Sequence, residues 1–171
     1  MKTKEEIVQN WLPRYTGTPI EQFGEYILLT NFVNYVELFA KKFDTEIYGM
    51  GRAMQTATAE NITIINFGMG SAMAATVMDL LTAIRPKAVL FLGKCGGLKK
   101  TQIGDLVLPI AAIRGDGTSD DYMRPEIPAL PSFRLQRAVS STIKKYELDY
   151  WTGTVYTTNR RIWEHDEAFK E

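Results

Sequence analysis

The sequence has one cysteine, Cys95, and one histidine, His165. A single thiol closes no internal disulfide, and neither residue has the Cys and His neighbours of a zinc site, so a stapled or zinc-built fold is excluded. Net charge is missing as well. Lys plus Arg number 20 against 20 for Asp plus Glu, which removes the global electrostatic case for nucleic acid or an anionic membrane and leaves any anion to be bound locally. No apolar run reaches the roughly 20 residues needed to span a bilayer, and the opening MKTKEEIVQNW lacks the apolar centre of a signal peptide. A cytoplasmic location is therefore expected. There is no internal repeat, low-complexity tract or linker, and 171 residues predict one domain, with residues 1–22 as a lead-in segment.

What is present is a succession of apolar runs broken by turn residues. EEIVQNWLPRYTG predicts a short amphipathic helix stopped by Pro13, able to pack on this core or on a neighbouring subunit. EYILLT (25–30) predicts a buried strand, and NFVNYVELFAKKF (31–43) a helix with Asn31 as its N-cap and the stripe Phe32, Tyr35, Val36, Phe39 facing core or interface. TEIYGM, RAMQTATA and ITIINF read as strands, with AEN as the turn of a hairpin over 52–67. A helix follows from about Ala72 to Ile84, ending before Pro86. KAVLFLG is expected as a buried strand, DLVLPIAAI as another, FRLQRAVSSTIKKYE as a helix and WTGTVYTT as a strand. This order fits an α/β layered domain.

In open α/β sheets, ligands bind beyond the carboxyl ends of strands, where helix N-termini present free N–H groups. Four loops have that placement: TNF with Thr30 and Asn31, GMGS with Gly68, Met69 and Gly70, GKCGG with Lys94 and Gly96, and TTNRR with Thr157, Thr158, Asn159, Arg160 and Arg161. Gly68 and Gly70 suit positive φ and a close approach of backbone to ligand. Tight turns alone would explain either glycine loop equally well, since neither is a dinucleotide fingerprint or a P-loop.

Taken in order, GMGSAMAATVMDLL, RPKAVLFLGKCGGL and IGDLVLP resemble the nucleoside phosphorylase and nucleosidase superfamily. With RYTGTPIEQFGEYILLTNFVNYV, EIPALPS and TGTVYTTNRRIWE added, the chain is similar to the AMP nucleosidase branch from Arg14 nearly to its end. The resemblance implies a three-layer α/β/α fold with a mixed, twisted central sheet. It implies hydrolysis of the N-glycosidic bond of AMP to adenine and ribose 5-phosphate, a step of purine metabolism, with AMP and water as substrates, phosphate as a further ligand, and no metal or organic cofactor. It implies a homo-oligomer built from dimers, up to a hexamer, and neither a nucleic-acid nor a membrane partner. By the same resemblance Met69 lies against the ribose, Thr157 to Arg161 flank the base, and Arg52 reaches a neighbour's site across an interface.

Departures from the pattern are informative. Phosphorolytic relatives carry, by this resemblance, an Arg before the G-x-C-G turn and a Ser within it, which hold the nucleophilic phosphate; here those positions are Phe91 and Lys94. Without a bidentate Arg clamp, water is the expected nucleophile, and Lys94 is free to grip the substrate's own 5′-phosphate. The family's ribose-binding Met-Glu motif and base-protonating Asp follow the last strand, so the general acid is expected beyond Glu171 and the chain is expected to be a fragment. A purine nucleoside phosphorylase and, should the chain be whole, a non-catalytic nucleotide-binding or assembly module are the other readings.

Arg114, ahead of DGTSDDY, stands in a polar loop where the family places substrate-side residues; a solvated loop is the plainer alternative. Asp120 and Asp121 are adjacent and point apart, which argues against a catalytic carboxylate pair. Arg160 and Arg161 suit a phosphate or base, and equally an exposed ion pair. Cys95 is expected to pack under its loop, and His165 to serve at the surface or as a cap.

Overall fold

The computed structural model describes residues 2–98, 100–160 and 167–170. They form two compact units, Met1–Cys95 and Gly96–Glu171.

The first unit starts with α1 (Lys4–Thr16), whose N-terminus is closed by a capping box. Thr3 Oγ1 accepts from the Glu6 amide, and the Thr3 amide donates to the Glu6 carboxylate. Val8, Leu12 and Thr16 recur at helical spacing and are buried. Pro13 does not stop this helix, contrary to expectation. It sits in the last turn, flanked by buried Leu12 and Thr16, and the stop comes at Gly17, left-handed at φ 71°, whose amide donates to the Pro13 carbonyl at 2.8 Å.

Five strands make a mixed sheet: β1 (Tyr26–Thr30), β2 (Ile47–Tyr48), β3 (Gln55–Ala59), β4 (Ile62–Asn66) and β5 (Ala88–Leu92), in the order β2-β3-β4-β1-β5. β1 runs parallel to both β4 and β5, while β2, β3 and β4 pair antiparallel. The expected hairpin is present. Its turn places Glu60 at φ 52° and Asn61 at φ 63°, the left-handed pair that a two-residue hairpin needs. β2 covers only two residues of TEIYGM, because Gly49 and Gly51 turn the chain at positive φ directly after it.

Side chains alternate between the sheet's two faces. Ile27, Leu29, Ile65 and Phe67 pack with Leu12 of α1 and with Val77, Leu80 and Leu81 of α3 (Ser71–Leu81). Ile64 and Ala57 pack with Val36 and Ala40 of α2 (Val33–Phe43), against half-buried Leu28, Tyr35, Phe39 and Ile47. The result is three layers, with α1 and α3 on one face and α2 on the other. Two expectations change here. Asn31 does not cap α2: the N-cap is Phe32, with no side-chain cap. β5 is an edge strand of this sheet, with Leu90, Phe91 and Leu92 exposed instead of buried.

The second unit holds β6 (Ala111–Arg114), α4 (Phe133–Lys145), β7 (Thr154–Thr157) and the short α5 (Glu167–Lys170). β6 and β7 are parallel partners. The expected strand DLVLPIAAI is regular only from Ala111, with one further bridge between Val107 and Trp151. α4 is tied down by polar contacts: Gln136 Nε2 donates to the Pro109 carbonyl, and the Ser140 and Tyr150 hydroxyls lie 2.8 Å apart.

Candidate functional site

In the first unit the strand register brings three loops to one edge. Thr30 is level with Asn66 on one side and Leu92 on the other, so residues 31–32, 67–70 and 93–95 all leave the carboxyl end of the parallel strands. Thr30 is fully buried; its carbonyl accepts from the Phe67 amide at 3.0 Å and its hydroxyl from the Phe32 amide at 3.2 Å. Asn31 Oδ1 is buried and accepts no hydrogen bond from the described residues, which leaves an acceptor for a hydroxyl donor. Asn66, which the sequence reading passed over, accepts from the Gly68 amide at 3.1 Å and so shapes the glycine turn. An Asn two residues before a Gly at a strand end is the signal that identifies it.

Gly68 stands at φ 81° and Gly70 at φ 97°, and a Cβ built on either meets no atom within 4 Å. Strand-to-helix packing therefore does not require these glycines, although the backbone conformation does. Gly70 is the N-cap of α3 and supplies no side chain to it, so the first-turn amides keep their capacity for an anion or hydroxyl. Met69 is exposed between the two glycines.

Lys94 projects from the third loop over aromatic rings. Its Nζ lies 4.5 Å from the Phe32 ring centroid and 5.7 Å from that of Tyr35. Phe91 stacks obliquely on Phe67 at 5.9 Å, so an apolar pair occupies the position where a phosphate-clamping Arg was sought. Cys95 is exposed, against the expectation that it packs under the loop. Its sequence neighbours Lys94, Gly96 and Gly97 are exposed with it. Arg52 donates from Nη1 to the Arg14 carbonyl at 3.0 Å, a contact within its own unit.

The second unit has a rim of its own. Arg114 and Thr157 are register partners at the carboxyl ends of β6 and β7. The Arg114 side chain is only 10% exposed and bonds to the main chain of its own loop, donating to the carbonyls of Ser119 at 3.4 Å and Met123 at 3.1 Å and also to that of Arg124. Asp120 lies 3.6 Å from it. This guanidinium organises residues 115–124. Asn159 Nδ2 donates to the Asp116 carbonyl at 3.3 Å, which ties the two loops together, and Thr158 Oγ1 accepts from the Arg160 amide at 3.1 Å within its own loop. The Ser119 hydroxyl is buried and unbonded among the described residues. Gly96 is exposed at the start of this unit, and Thr157, Asn159 and Arg160 are exposed along the rim. Arg161 and His165 lie outside the described residues.

Among the described residues no group of three His, Cys, Asp or Glu side chains is placed to hold a metal ion, and no helix is long and apolar enough to cross a membrane. A groove of about 620 Å³ bordered by Val8, Met78, Leu81 and Val89 contains none of the rim residues. Its borders also include Arg85 and Pro86, which precede β5 at the end of the sheet opposite the loops.

The family model described as Phosphorylase superfamily matches residues 25–170. AMP nucleosidase of Escherichia coli (strain K12) is 31% identical over 199 residues, covering 90% of this chain and 41% of that protein. The chain thus spans about two fifths of the length of that curated relative. Uridine phosphorylase of Thermococcus kodakarensis is 28% identical over 99 residues, with 57% of this chain and 36% of that protein covered. Among solved structures, AMP nucleosidase from Bacteroides thetaiotaomicron VPI-5482 superposes with a TM-score of 0.96 at 62% identity, covering 98% of this chain and 74% of that one. Purine nucleoside phosphorylase from Toxoplasma gondii superposes with a TM-score of 0.76 at 17% identity, over 84% of this chain and 60% of that one, a likeness of fold alone.

Proposed function

The chain belongs to the phosphorylase superfamily, and from that premise we propose that it serves the hydrolysis of AMP to adenine and ribose 5-phosphate. The observation that carries the choice of hydrolysis over phosphorolysis is Phe91, packed on Phe67 near the carboxyl end of β5, with Lys94 exposed in the loop that follows. With Phe91 in place of an arginine, the end of β5 lacks one bidentate grip on a free phosphate nucleophile. It keeps a point charge suited to a phosphate already attached to the substrate.

In this reading the open backbone of Gly68 and Gly70 lies against ribose and phosphate, Met69 covers the sugar, and the α3 amides and Lys94 hold the 5′-phosphate. Thr30 fixes the strand end, and Asn31 Oδ1 accepts from a sugar hydroxyl. The C1′–N9 bond breaks, its electron pair leaves with adenine, which takes up a proton, and a water oxygen bonds to C1′ and gives up a proton to solvent, so that one proton is gained and one lost. Positive charge developing on the sugar is best stabilised by a site shaped to that transition state. Arg114 acts as the organiser of its loop. Thr157, Thr158, Asn159, Arg160 and Arg161 are assigned to the base, and Gly96 to the substrate, on the resemblance alone. A homo-oligomer in which Arg52 reaches a neighbour, and a cytoplasmic location, belong to the same proposal.

The test is adenine release from AMP by the intact gene product, followed chromatographically with and without inorganic phosphate. Release that needs no phosphate is expected. Release that appears only when phosphate is supplied would replace this reading with a phosphorylase.

A further inference from the structure

We propose that Phe32 and Tyr35 are positioning residues for Lys94, so that the affinity gained from a substrate's 5′-phosphate depends on two aromatic rings as well as on the lysine. The inference deepens the AMP reading and rests on it.

The two rings are well anchored and the lysine is not. Phe32 and Tyr35 are the N-cap and the third residue of α2, three positions apart and on one side of the helix. Their rings meet edge to face at 5.7 Å with an interplanar angle of 71°. The Phe32 amide is held by Thr30 Oγ1, the Tyr35 amide by the Phe32 carbonyl, and Tyr35 packs on the buried Val36, Ala40, Ala57, Ile64 cluster. Lys94, by contrast, lies one residue past Gly93 in an exposed loop. A four-carbon stem there loses much rotamer freedom when its ammonium is fixed, and the ring faces at 4.5 Å and 5.7 Å offset part of that cost before any ligand arrives.

The kind of partner matters as much as its presence. Among the described residues no carboxylate forms an ion pair with Lys94. A carboxylate would fix the ammonium but cancel its charge, and an incoming phosphate would have to displace it. Aromatic faces fix the ammonium through their quadrupoles and leave the full charge available. The rings therefore pre-organise a cation that no carboxylate neutralises among the described residues, at the edge where Gly68, Gly70 and the α3 amides stand.

The experiment is a double-mutant cycle read by calorimetry with AMP and adenosine as ligands, on the parent chain, Phe32→Leu, Lys94→Met and the double variant. The parent is expected to prefer AMP. Phe32→Leu should cut that preference about two- to fivefold while leaving adenosine affinity unchanged, Phe32→Tyr should restore it, and in the Lys94→Met background Phe32→Leu should change nothing further. A preference lost in Lys94→Met but intact in Phe32→Leu would overturn this inference alone, as would an equal loss for both ligands, which means packing. A parent without any AMP preference would overturn the phosphate reading and this inference with it. Tyr35→Leu repeats the test should Phe32→Leu not fold. An upfield shift of the Lys94 ε-methylene protons in the ligand-free parent, lost in Phe32→Leu, reports the ring contact independently of any ligand.

Discussion

At Gly70 the backbone stands at φ 97° and ψ 154° with open space where a Cβ would be. That region of conformational space is essentially confined to glycine. Gly70→Ala should therefore fold with a loss of about 1 to 3 kcal/mol, and Gly70→Val should also lose AMP affinity by far more than its lower melting temperature accounts for. Gly51 is the control: it too is at positive φ, at 75°, with nothing within 4 Å of a Cβ. Gly51→Ala should cost stability and leave AMP binding as it was. If calorimetry and melting curves show Gly70→Val binding AMP like the parent, the glycine turn is not the nucleotide's seat. Lys94→Met should lower AMP affinity roughly tenfold or more with adenosine unaffected, since a charge-assisted contact is worth about 1.5 to 3 kcal/mol. At this scale the positive φ of Gly68 and Gly70 was legible from the turn pattern. Asn31 as a cap was not, because the Thr30 hydroxyl takes the Phe32 amide and the helix starts two residues later. The inward commitment of Arg114 was illegible as well: a run of Asp, Gly and Ser reads as solvated whether or not an arginine gathers its carbonyls.

Among elements, α1 is where the sequence misled most. Proline in a helical run reads as a stop, yet Leu12 has no exposure and Thr16 Oγ1 donates to the Leu12 carbonyl at 2.7 Å, so the last turn is held from both sides of Pro13. The segment packs on the first unit's core, one of the two places the sequence left open for this lead-in. Leu12→Ala should cost about 2 to 5 kcal/mol in denaturant unfolding; a loss below 1 kcal/mol would mean α1 is only loosely attached. At the amino ends of β1, β4 and β5, Glu25 ties three strands together. Its carboxylate accepts from Lys87 Nζ and from Asn61 Nδ2, each at 2.8 Å, and its amide donates to Asn61 Oδ1 at 2.9 Å. The Lys87 bond first, then that from Asn61, holds the Glu25 carboxyl below the usual glutamate range, and Glu25 in turn raises Lys87. The lowered group contributes stability above its unfolded pKa and loses it as pH falls through the folded one. The raised group contributes below its unfolded pKa and loses it as pH rises through the folded one. Glu25→Gln should therefore melt lower than the parent by a margin that is flat around neutrality, shrinks below about pH 4, and shrinks with added salt because the pair is exposed. A margin that is constant from neutrality to pH 3 would show that the ion pair is not its source.

For the whole molecule, apolar periodicity and turn chemistry gave the succession of strands and helices, and with it the layered class. They did not give the order β2-β3-β4-β1-β5, because inserting β1 between β4 and β5 is decided by which apolar faces meet across the fold and not by any local signal. Nor did they give the two compact units; all buried core hydrophobics among the described residues belong to the first. The succession of glycine loops carried the family, which the match over residues 25–170 bears out. The central claim concerns the nucleophile: an edge with Phe91 in place of a clamping arginine uses water. It is tested most directly by ³¹P NMR of the products formed from AMP by the intact gene product in excess inorganic phosphate. The account predicts a single sugar phosphomonoester, ribose 5-phosphate, with the phosphate pool unconsumed. A second phosphoester resonance at the anomeric position, growing as inorganic phosphate falls, would contradict it.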